Sequence, residues 1–177
     1  MNTSTGRDAA IQGLLDKQEI TEVLMRYSRA VDRADVELLR ACYHADATED
    51  HGGVFSGLAS DYIAKIAPAL PRARVLTHAV SNVLVELDGD TARAEAYITT
   101  FARMKKDGEK FDTLTLARTV DRFERRAGVW RIAARRMTWE RHHEMPFAES
   151  WGRGMLAPDA TALIRGGKMP DDILYRD

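Results

Sequence analysis

The hydrophobic period of the chain changes once, near residue 74. Before it, apolar residues recur every three or four positions, which is typical of one face of a helix: Ile20, Val23, Leu24, Tyr27 and Val31. After it, apolar and polar residues alternate, which is typical of half-buried strands. Helices followed by strands predict an α+β domain with an antiparallel sheet, and not alternating βαβ units. The 177 residues are enough for one domain with its own core.

Three helices are predicted before residue 74. The first covers residues 8–31, and Asp35 is placed to cap the N-terminus of a second over residues 36–43. A third begins at Ser60 as its N-cap and ends before Pro71. The Asp- and Gly-rich residues 44–57 between them are predicted to be a loop with one short extended piece at residues 54–55.

Four strands are predicted after residue 74, at 74–87, 91–103, 111–125 and 129–141. Compact turn signals at residues 88–90 and 126–128 join them in two hairpins. One strand carries Ala92, Ala94, Ala96 and Ile98 on a single face. Such small residues either let the sheet curve around a pocket or only permit close packing of a helix, and the pattern leaves both readings open.

The domain is predicted to span residues 10–144, with residues 1–9 frayed. Residues 145–177 hold three of the five prolines and four of the twelve glycines, which favours an extended arm. The arm is expected to cover its own domain or a neighbouring subunit through Phe147, Trp151 and Tyr175. The alternative is a loosely ordered tail.

Composition excludes several classes of function. A formal charge of -1 with scattered basic residues argues against nucleic-acid binding. The chain has neither a run of about 18 apolar residues nor a signal peptide, so we expect a cytoplasmic protein with no membrane partner. The lone Cys42 is expected in the core. Two His-rich stretches, HADATEDH and ERHHE, lack the spacing of a metal site, so no metal is expected.

Asp32 lies where the apolar stripe of the first helix runs out. A helix C-terminus carries partial negative charge, so a carboxylate there needs a cation or a hydrogen-bond donor. His78 is one candidate, because it lies near the start of a predicted strand and alternation places Val80, Asn82 and Leu84 on its face.

A contact between Asp32 and His78 would have chemical consequences. A carboxylate that accepts the Nδ1 proton of an imidazole leaves Nε2 free to act as a base. The alternative is that Arg29 or Arg33 pairs with Asp32 at the surface and that His78 is a structural residue. The spacing of 46 residues does not decide between the two.

Several stretches resemble the SnoaL-like branch of the NTF2-like superfamily. They are ITEVLMRYSRAVDRADVELL at 20–39, Gly57, Thr77-His78 and DRFERRAGVWRIAAR at 121–135. The resemblance covers residues 10–140 and leaves the arm outside. It implies a cone-shaped α+β barrel, in which three N-terminal helices pack on a curved antiparallel sheet around a deep pocket.

The resemblance also implies roles for individual residues. Dehydratases and a dehydrochlorinase of this branch have an Asp at the place of Asp32 and a His at the place of His78, and the His takes a proton from carbon. Tyr27 matches a Tyr or Lys that donates a proton or hydrogen bond, although it also fits the apolar core stripe. Arg135 matches an Arg that binds the leaving group, unless alternation turns Arg136 inward instead.

The expected function is therefore a lyase or isomerase that abstracts a proton from carbon without a cofactor. Its substrate is expected to be a small, mostly apolar cyclic compound, such as a polyketide, terpenoid, steroid-like or aromatic molecule, bound by Phe55, Phe101 and Trp139. The protein is expected to self-associate as a dimer or trimer. The alternatives are a non-catalytic module that binds a hydrophobic ligand or serves assembly and, less favoured, an epoxide hydrolase.

Overall fold

The computed structural model of the protein describes residues 3–148 and 163–176. Three helices, six strands and two short 3-10 turns follow one another along these residues. The helices are α1 (Thr3–Arg33), α2 (Val36–Ala41) and α3 (Ala59–Ile66). The strands are β1 (Tyr43–Asp50), β2 (Ser56–Leu58), β3 (Leu76–Asp88), β4 (Thr91–Lys106), β5 (Glu109–Arg126) and β6 (Val129–Pro146), and the 3-10 turns are Leu70–Arg72 and Ile173–Tyr175.

One curved, six-stranded sheet forms the frame, in the order β2-β1-β6-β5-β4-β3. β3 to β6 form the antiparallel meander that alternation predicts, with turns at Asp88-Gly89-Asp90 and at Arg126-Ala127-Gly128. β1 pairs in parallel with β6 and antiparallel with β2. The two edge strands, β2 and β3, do not pair with each other, so the sheet is open, and it is mixed where an antiparallel sheet in a cone-shaped barrel was expected.

The prediction of a loop over residues 44–57 is wrong, because residues 43–50 form β1 and residues 56–58 form β2. β1 contains the polar residues His44 and Glu49, and both are buried. A polar residue on the buried face hides the apolar–polar alternation by which a strand is identified. The piece at residues 54–55 lies in the turn between the two strands.

Several helix boundaries differ from the prediction. α1 begins at Thr3, so residues 3–9, which were expected to be frayed, belong to the helix. The N-cap of α3 is Leu58, and Ser60 lies inside that helix. The cap of α2 is confirmed, because Asp35 Oδ1 accepts a hydrogen bond of 3.0 Å from the Leu38 amide. α2 ends at Ala41, and Cys42 is buried as expected.

The core lies between the helical stripe and the inner face of the sheet. Ile20, Leu24 and Val31 of α1 belong to one buried cluster with Ala94 of β4 and Phe123 of β5. Ala92, Ala94 and Ala96 of β4 are all buried in that cluster, so large side chains fill the space above them. Burial of each large aliphatic side chain stabilises the fold by about 1.5–3 kcal/mol.

A bulge in β3 changes which residues share the face of His78. The register of β3 against β4 shifts between Ser81 and Leu84, and Asn82 has a φ of 50°. One extra residue turns the following positions over. Val80 therefore shares the face of His78 as predicted, but Asn82 and Leu84 point outward and Val85 points inward.

The end of the chain returns to the C-terminus of α1. The amide of Met169 donates to the Arg33 carbonyl at 2.7 Å, and Lys168 Nζ donates to the Asp32 carbonyl at 2.5 Å. Tyr175 Oη donates to Asp35 Oδ2 at 3.1 Å. Residues 163–176 thus supply donors to carbonyls that a helix end leaves without partners. Trp151 lies outside the described residues, and Phe147 packs beneath the Arg103 guanidinium at 4.5 Å.

No helix in the described part of the chain is both long and apolar enough to cross a membrane.

Candidate active site

The last turn of α1 places Asp32 at a defined point. The Asp35 amide donates to the Ala30 carbonyl at 2.9 Å, and the Ala34 amide donates to the Val31 carbonyl at 3.3 Å. These two bonds form a Schellman motif, and Ala34, with a φ of 58°, occupies the left-handed position that usually holds glycine. Asp32 is therefore the last residue with a fully helical environment, and its side chain leaves the helix toward β3.

Two groups of His78 contact the carboxylate of Asp32. The backbone amide of His78 donates to Asp32 Oδ2 at 2.9 Å, and His78 Nδ1 lies 2.6 Å from Asp32 Oδ1. β3 is an edge strand of the sheet, so this amide points away from β4 and is free to bond the carboxylate. The contact between Asp32 and His78 that the sequence suggested is present. The carboxylate of Asp32 pairs with His78 rather than with Arg29 or Arg33.

The hydrogen bonds determine which nitrogen of His78 carries the proton. An ionised carboxylate only accepts hydrogen bonds, so the neutral ring must carry its proton on Nδ1. Among the described residues, Nε2 has no hydrogen-bond partner. The lone pair on Nε2 can therefore accept a proton from a bound molecule, and Asp32 would then stabilise the imidazolium.

A cavity of about 240 Å³ lies between the end of α1 and the start of β3. It is bordered by His78 and Asp32 together with apolar, hydroxyl and cationic side chains. The full lining is Met25, Ser28, Arg29, Asp32, Arg33, His78 and Val80. The space is smaller than the roughly 300–1,000 Å³ of sites for drug-sized ligands, so it suits a small molecule.

Tyr27 and Arg135 meet each other away from this cavity. The Arg135 guanidinium lies 4.0 Å from the centre of the Tyr27 ring and forms a two-point ion pair with Asp121, at 2.9 and 2.7 Å. Burial opposes the charge of Arg135, but Asp121, Tyr43 and Tyr27 hold its pKa well above the ordinary value. Arg135 does point inward, while Arg136 is exposed and next to Asp50.

Burial raises the pKa of the Tyr27 phenol, so its hydroxyl stays protonated. The ring also packs edge-on against Tyr43, with centroids 6.0 Å apart. The structure therefore places Tyr27 in the core, beside Arg135, and does not bring it to the cavity lined by His78.

A second carboxylate–imidazole pair lies on β1 and the turn after it. His51 Nδ1 is 2.7 Å from Glu49 Oε1, and Tyr43 Oη donates to Glu49 Oε2 at 2.6 Å. His51 Nε2 is 3.2 Å from Tyr62 Oη, and the two rings stack with centroids 4.6 Å apart. Sequence reasoning missed this pair, because it treated residues 44–57 as a loop.

Three residues expected to bind the substrate lie elsewhere. Phe55 packs against Tyr62, with centroids 5.5 Å apart, and Trp139 donates from Nε1 to the Gly52 carbonyl at 3.0 Å. Both therefore border the second pair and not the cavity of His78. Phe101 pairs across the sheet with Thr77, whose side chain is on the face opposite His78, so Phe101 lies on the outer face.

Sequence reasoning also missed Ser28 and Arg29 as cavity residues. Ser28 lies four residues before Asp32, so helical spacing alone places the two side chains on one face. This spacing could have identified Ser28, but the apolar stripe through Tyr27 indicated the neighbouring face of the helix instead.

Within residues 3–148 and 163–176, no group of three or more His, Cys, Asp or Glu side chains is arranged to hold a metal ion. The histidines of the two His-rich stretches have different partners in the structure. His51 pairs with Glu49, and His142 Nδ1 lies 2.8 Å from Thr115 Oγ1.

Comparison with known families decides the relationship that the sequence and the fold indicate. The profile of the SnoaL-like domain matches residues 12–136, which is most of the chain. The protein is a SnoaL-like protein. The matched range contains both partners of each carboxylate–imidazole pair, and it ends before the C-terminal segment that contacts Asp32. A search of curated proteins finds no match.

Solved structures share the fold of this SnoaL-like protein at low sequence identity. A hexachlorocyclohexane dehydrochlorinase, LinA-type3 from Novosphingobium barchaimii, is 16% identical with a TM-score of 0.69, covering 80% of this chain and 99% of the other. A putative scytalone dehydratase from Novosphingobium aromaticivorans is 16% identical with a TM-score of 0.68, covering 80% and 99%. An NTF2-like protein from the same species is 22% identical with a TM-score of 0.67, covering 78% and 91%. These similarities show that the chain shares the fold of these three proteins.

Proposed function

We propose that this SnoaL-like protein is a lyase or isomerase that removes a proton from a carbon atom next to an activating group. The observation that carries the proposal is His78, which borders a cavity and whose Nδ1 is held by Asp32 at 2.6 Å, while Nε2 has no partner among the described residues. The imidazole itself supplies the base, so the step requires no cofactor. Two relatives of the same fold are named as a dehydrochlorinase and a putative dehydratase, and both names describe eliminations.

The proposed reaction follows from the positions of the charges. Nε2 of His78 takes the proton, and the electron pair of the C–H bond moves toward the activating group. Asp32 stabilises the imidazolium that forms. Arg29 and Arg33 line the same cavity and attract the negative charge that develops on the substrate. The imidazolium then returns its proton to another carbon, which is isomerisation, or to a departing hydroxide, which leaves as water.

The cavity favours a small and partly apolar substrate. Met25 and Val80 offer apolar surface, while Ser28, Arg29 and Arg33 offer polar groups. Tyr27 and Arg135 have no part in this proposal because both lie in the core. We therefore assign the developing charge to Arg29 and Arg33.

Exchange of carbon-bound protons tests the base directly. 1-Tetralone has acidic protons beside its carbonyl but no leaving group, so incorporation of solvent deuterium, followed by proton NMR, reports abstraction alone. 3-Hydroxy-1-tetralone can also lose water to give fluorescent 1-naphthol. We expect the protein to accelerate the exchange and His78→Gln to slow it by about 10²–10⁴-fold.

His51→Gln is the matched control, because it removes the other carboxylate-paired histidine. Its rate per folded molecule should stay close to that of the unchanged protein. The proposal fails if neither tetralone reacts faster than in buffer, or if His78→Gln and His51→Gln reduce the rate equally.

A second candidate function, an assembly module, is favoured by the outer face of the sheet. Leu114 is exposed there beside its cross-strand partner Phe101. Clusters of apolar side chains on a surface are typical of interfaces. The mass in solution, measured by light scattering, tests for the proposed dimer or trimer; an assembly with no exchange activity would favour the module.

A further inference from the structure

The N-terminal half of α1 carries large apolar side chains on the side that faces away from the core. Ile20 and Val23 of this helix belong to the buried cluster. Ile11, Leu14 and Leu15 are instead 44%, 69% and 53% exposed. Their spacing of three and four residues places them on one face, nearly opposite Ile20. Single exposed leucines are normal on a protein surface, but three large side chains that share a face form an apolar patch.

This patch, the exposed α1 face of Ile11, Leu14 and Leu15, is not covered by the described part of the chain. Residues 163–176 contact the other end of the helix, where Lys168 Nζ binds the Asp32 carbonyl. Leu14 and Asp32 are 18 positions apart, which is about 27 Å of helix at 1.5 Å per residue. A surface helix normally carries polar residues on the side away from its core. An apolar face in that position indicates a contact with another molecule.

Two opposite charges lie at equal distances from the centre of the exposed α1 face. Arg7 comes seven residues before Leu14, and Glu22 comes seven residues after Leu15. Residues seven apart lie on the same side of a helix, so the two charges flank the apolar patch. Both are exposed, and neither has an ion-pair partner among the described residues. Glu22 Oε1 accepts a hydrogen bond of 3.1 Å from Gln18, which leaves its other carboxylate oxygen for a second donor.

The symmetry of these charges fits a second copy of the same helix. In an antiparallel pair with its twofold axis between Leu14 and Leu15, Arg7 of each copy faces Glu22 of the other. The leucines then meet at the centre. In a parallel pair, Arg7 would face Arg7 and Glu22 would face Glu22, and like charges repel. A twofold interface requires a surface that is complementary to itself, and the exposed α1 face meets that requirement.

We propose that a second copy of this chain docks antiparallel on the exposed α1 face, with apolar contact at the leucines and an Arg7–Glu22 ion pair at each end. The surface differs from the outer face of the sheet, and the contact does not depend on the proposed reaction. It runs for about 22 Å of helix from Arg7 to Glu22. Two helix faces of this length bury less than the roughly 1,600 Å² of a standard interface, so we expect a dissociation constant in the micromolar range.

Leu14→Glu tests the apolar contact. Sedimentation velocity over a concentration series gives the dissociation constant of the dimer. The symmetric contact receives two carboxylates that lose water without gaining a partner, so we expect the dissociation constant to rise by at least about 30-fold. Because Leu14 is exposed in the single chain, its Tm at low concentration should stay within about 2 °C of the unchanged protein.

Leu114→Glu is the matched control. It makes the same change at an exposed leucine on the outer face of the sheet, so the dissociation constant should stay unchanged. Loss of the dimer in Leu114→Glu but not in Leu14→Glu would assign the interface to the sheet and overturn the proposal. A protein that is monomeric at every concentration also overturns it, and a Tm that falls by several degrees in monomeric Leu14→Glu would mean that another segment of the same chain covers the face.

A charge swap tests the antiparallel arrangement. Arg7→Glu alone and Glu22→Arg alone each place like charges opposite one another at both ends of the contact. We expect each to raise the dissociation constant by about 5–20-fold at low salt. The double variant restores both ion pairs with reversed sign, so its dissociation constant should return to within about 3-fold of the original. If the double variant is as weak as the single variants, Arg7 does not face Glu22 and the antiparallel pairing is wrong.

Discussion

The protein contains two carboxylate–imidazole pairs of almost the same geometry. Asp32 and His78 meet at 2.6 Å, and Glu49 and His51 meet at 2.7 Å. The two imidazole side chains are 16% and 17% exposed. Distance and burial therefore do not distinguish the pair at the end of α1 from the pair at the end of β1.

The difference lies at the other ring nitrogen. Nε2 of His51 is bonded to Tyr62 Oη, and the ring is stacked on Tyr62 with Trp139 against its edge at 5.8 Å. His78 borders a cavity, and its Nε2 has no partner in the described part of the chain. A base needs an accessible lone pair, so a held imidazole becomes reactive only where its second nitrogen is left available.

The largest expected effect separates the two carboxylates. In Asp32→Asn the amide oxygen can still accept from the His78 backbone, which turns the NH₂ group toward Nδ1. Nδ1 must then accept a hydrogen bond, so the ring proton moves to Nε2 and blocks the base. We expect exchange of 1-tetralone protons to fall by about 10²–10⁴-fold, measured by NMR in deuterated buffer.

Glu49→Gln is the control for this prediction. Glu49 is wholly buried, and the change removes the charge on which Tyr43 and His51 both depend. We expect it to lower the free energy of unfolding, by about 1–3 kcal/mol, while the exchange rate per folded molecule is kept. Equal losses of exchange in Asp32→Asn and Glu49→Gln would show that the two pairs do not differ in function.

The sequence predicted the meander well and the first two strands not at all. Gly89 and Gly128 both have positive φ and lie in the turns of the two predicted hairpins. Alternation identifies the strands on either side of each turn. β1 was not predicted because Glu49, a polar residue, is buried there. The hydrogen bonds that make this burial possible exist only in the folded chain. The bulge at Asn82 contains no glycine by which it could have been predicted. It turns Leu84 to the face opposite the expected one.

The same limits explain which site residues could be predicted. Asp32 and His78 were identified because a helix end disfavours a carboxylate and because the resemblance supplied a partner. Phe101 lies on the outer face because alternation along β4 puts it opposite Ala96 and Ile98. The contact of Trp139 with Gly52 could not be predicted, because Gly52 follows a strand that the sequence did not reveal.

A smaller effect is expected where the second pair is closed off. Gly52 has a φ of 58°, and a Cβ added there would lie 2.6 Å from Trp139 Nε1 and 3.0 Å from the Met137 carbonyl oxygen. Gly52→Ala should therefore lower the free energy of unfolding by about 2–3 kcal/mol, from backbone strain and overpacking together. Urea unfolding measures the loss.

Gly53→Ala isolates the contact with Trp139. Gly53 also has a positive φ, of 86°, but nothing lies within 4 Å of an added Cβ. This variant should show only the backbone strain of about 1 kcal/mol. If both substitutions cost the same, Trp139 does not close the turn beside His51, and the contrast between a closed and an open histidine weakens.

The smallest effect is expected beside the first pair. Ala34 has the same φ of 58° as Gly52, but it carries a Cβ and follows Asp32 by two residues. Ala34→Gly should raise the free energy of unfolding by about 0.5 kcal/mol, because relief of the left-handed strain exceeds the entropy that glycine adds to the unfolded chain. Ala10→Gly, inside exposed helix, is the control and should lower stability by about 1 kcal/mol.

Because the Schellman bonds of Ala34 and Asp35 are backbone bonds, glycine keeps them, and Asp32 should stay where His78 can reach it. The exchange rate should then equal that of the unchanged protein; a rate that falls while stability rises would mean that strain at Ala34 helps to aim the carboxylate.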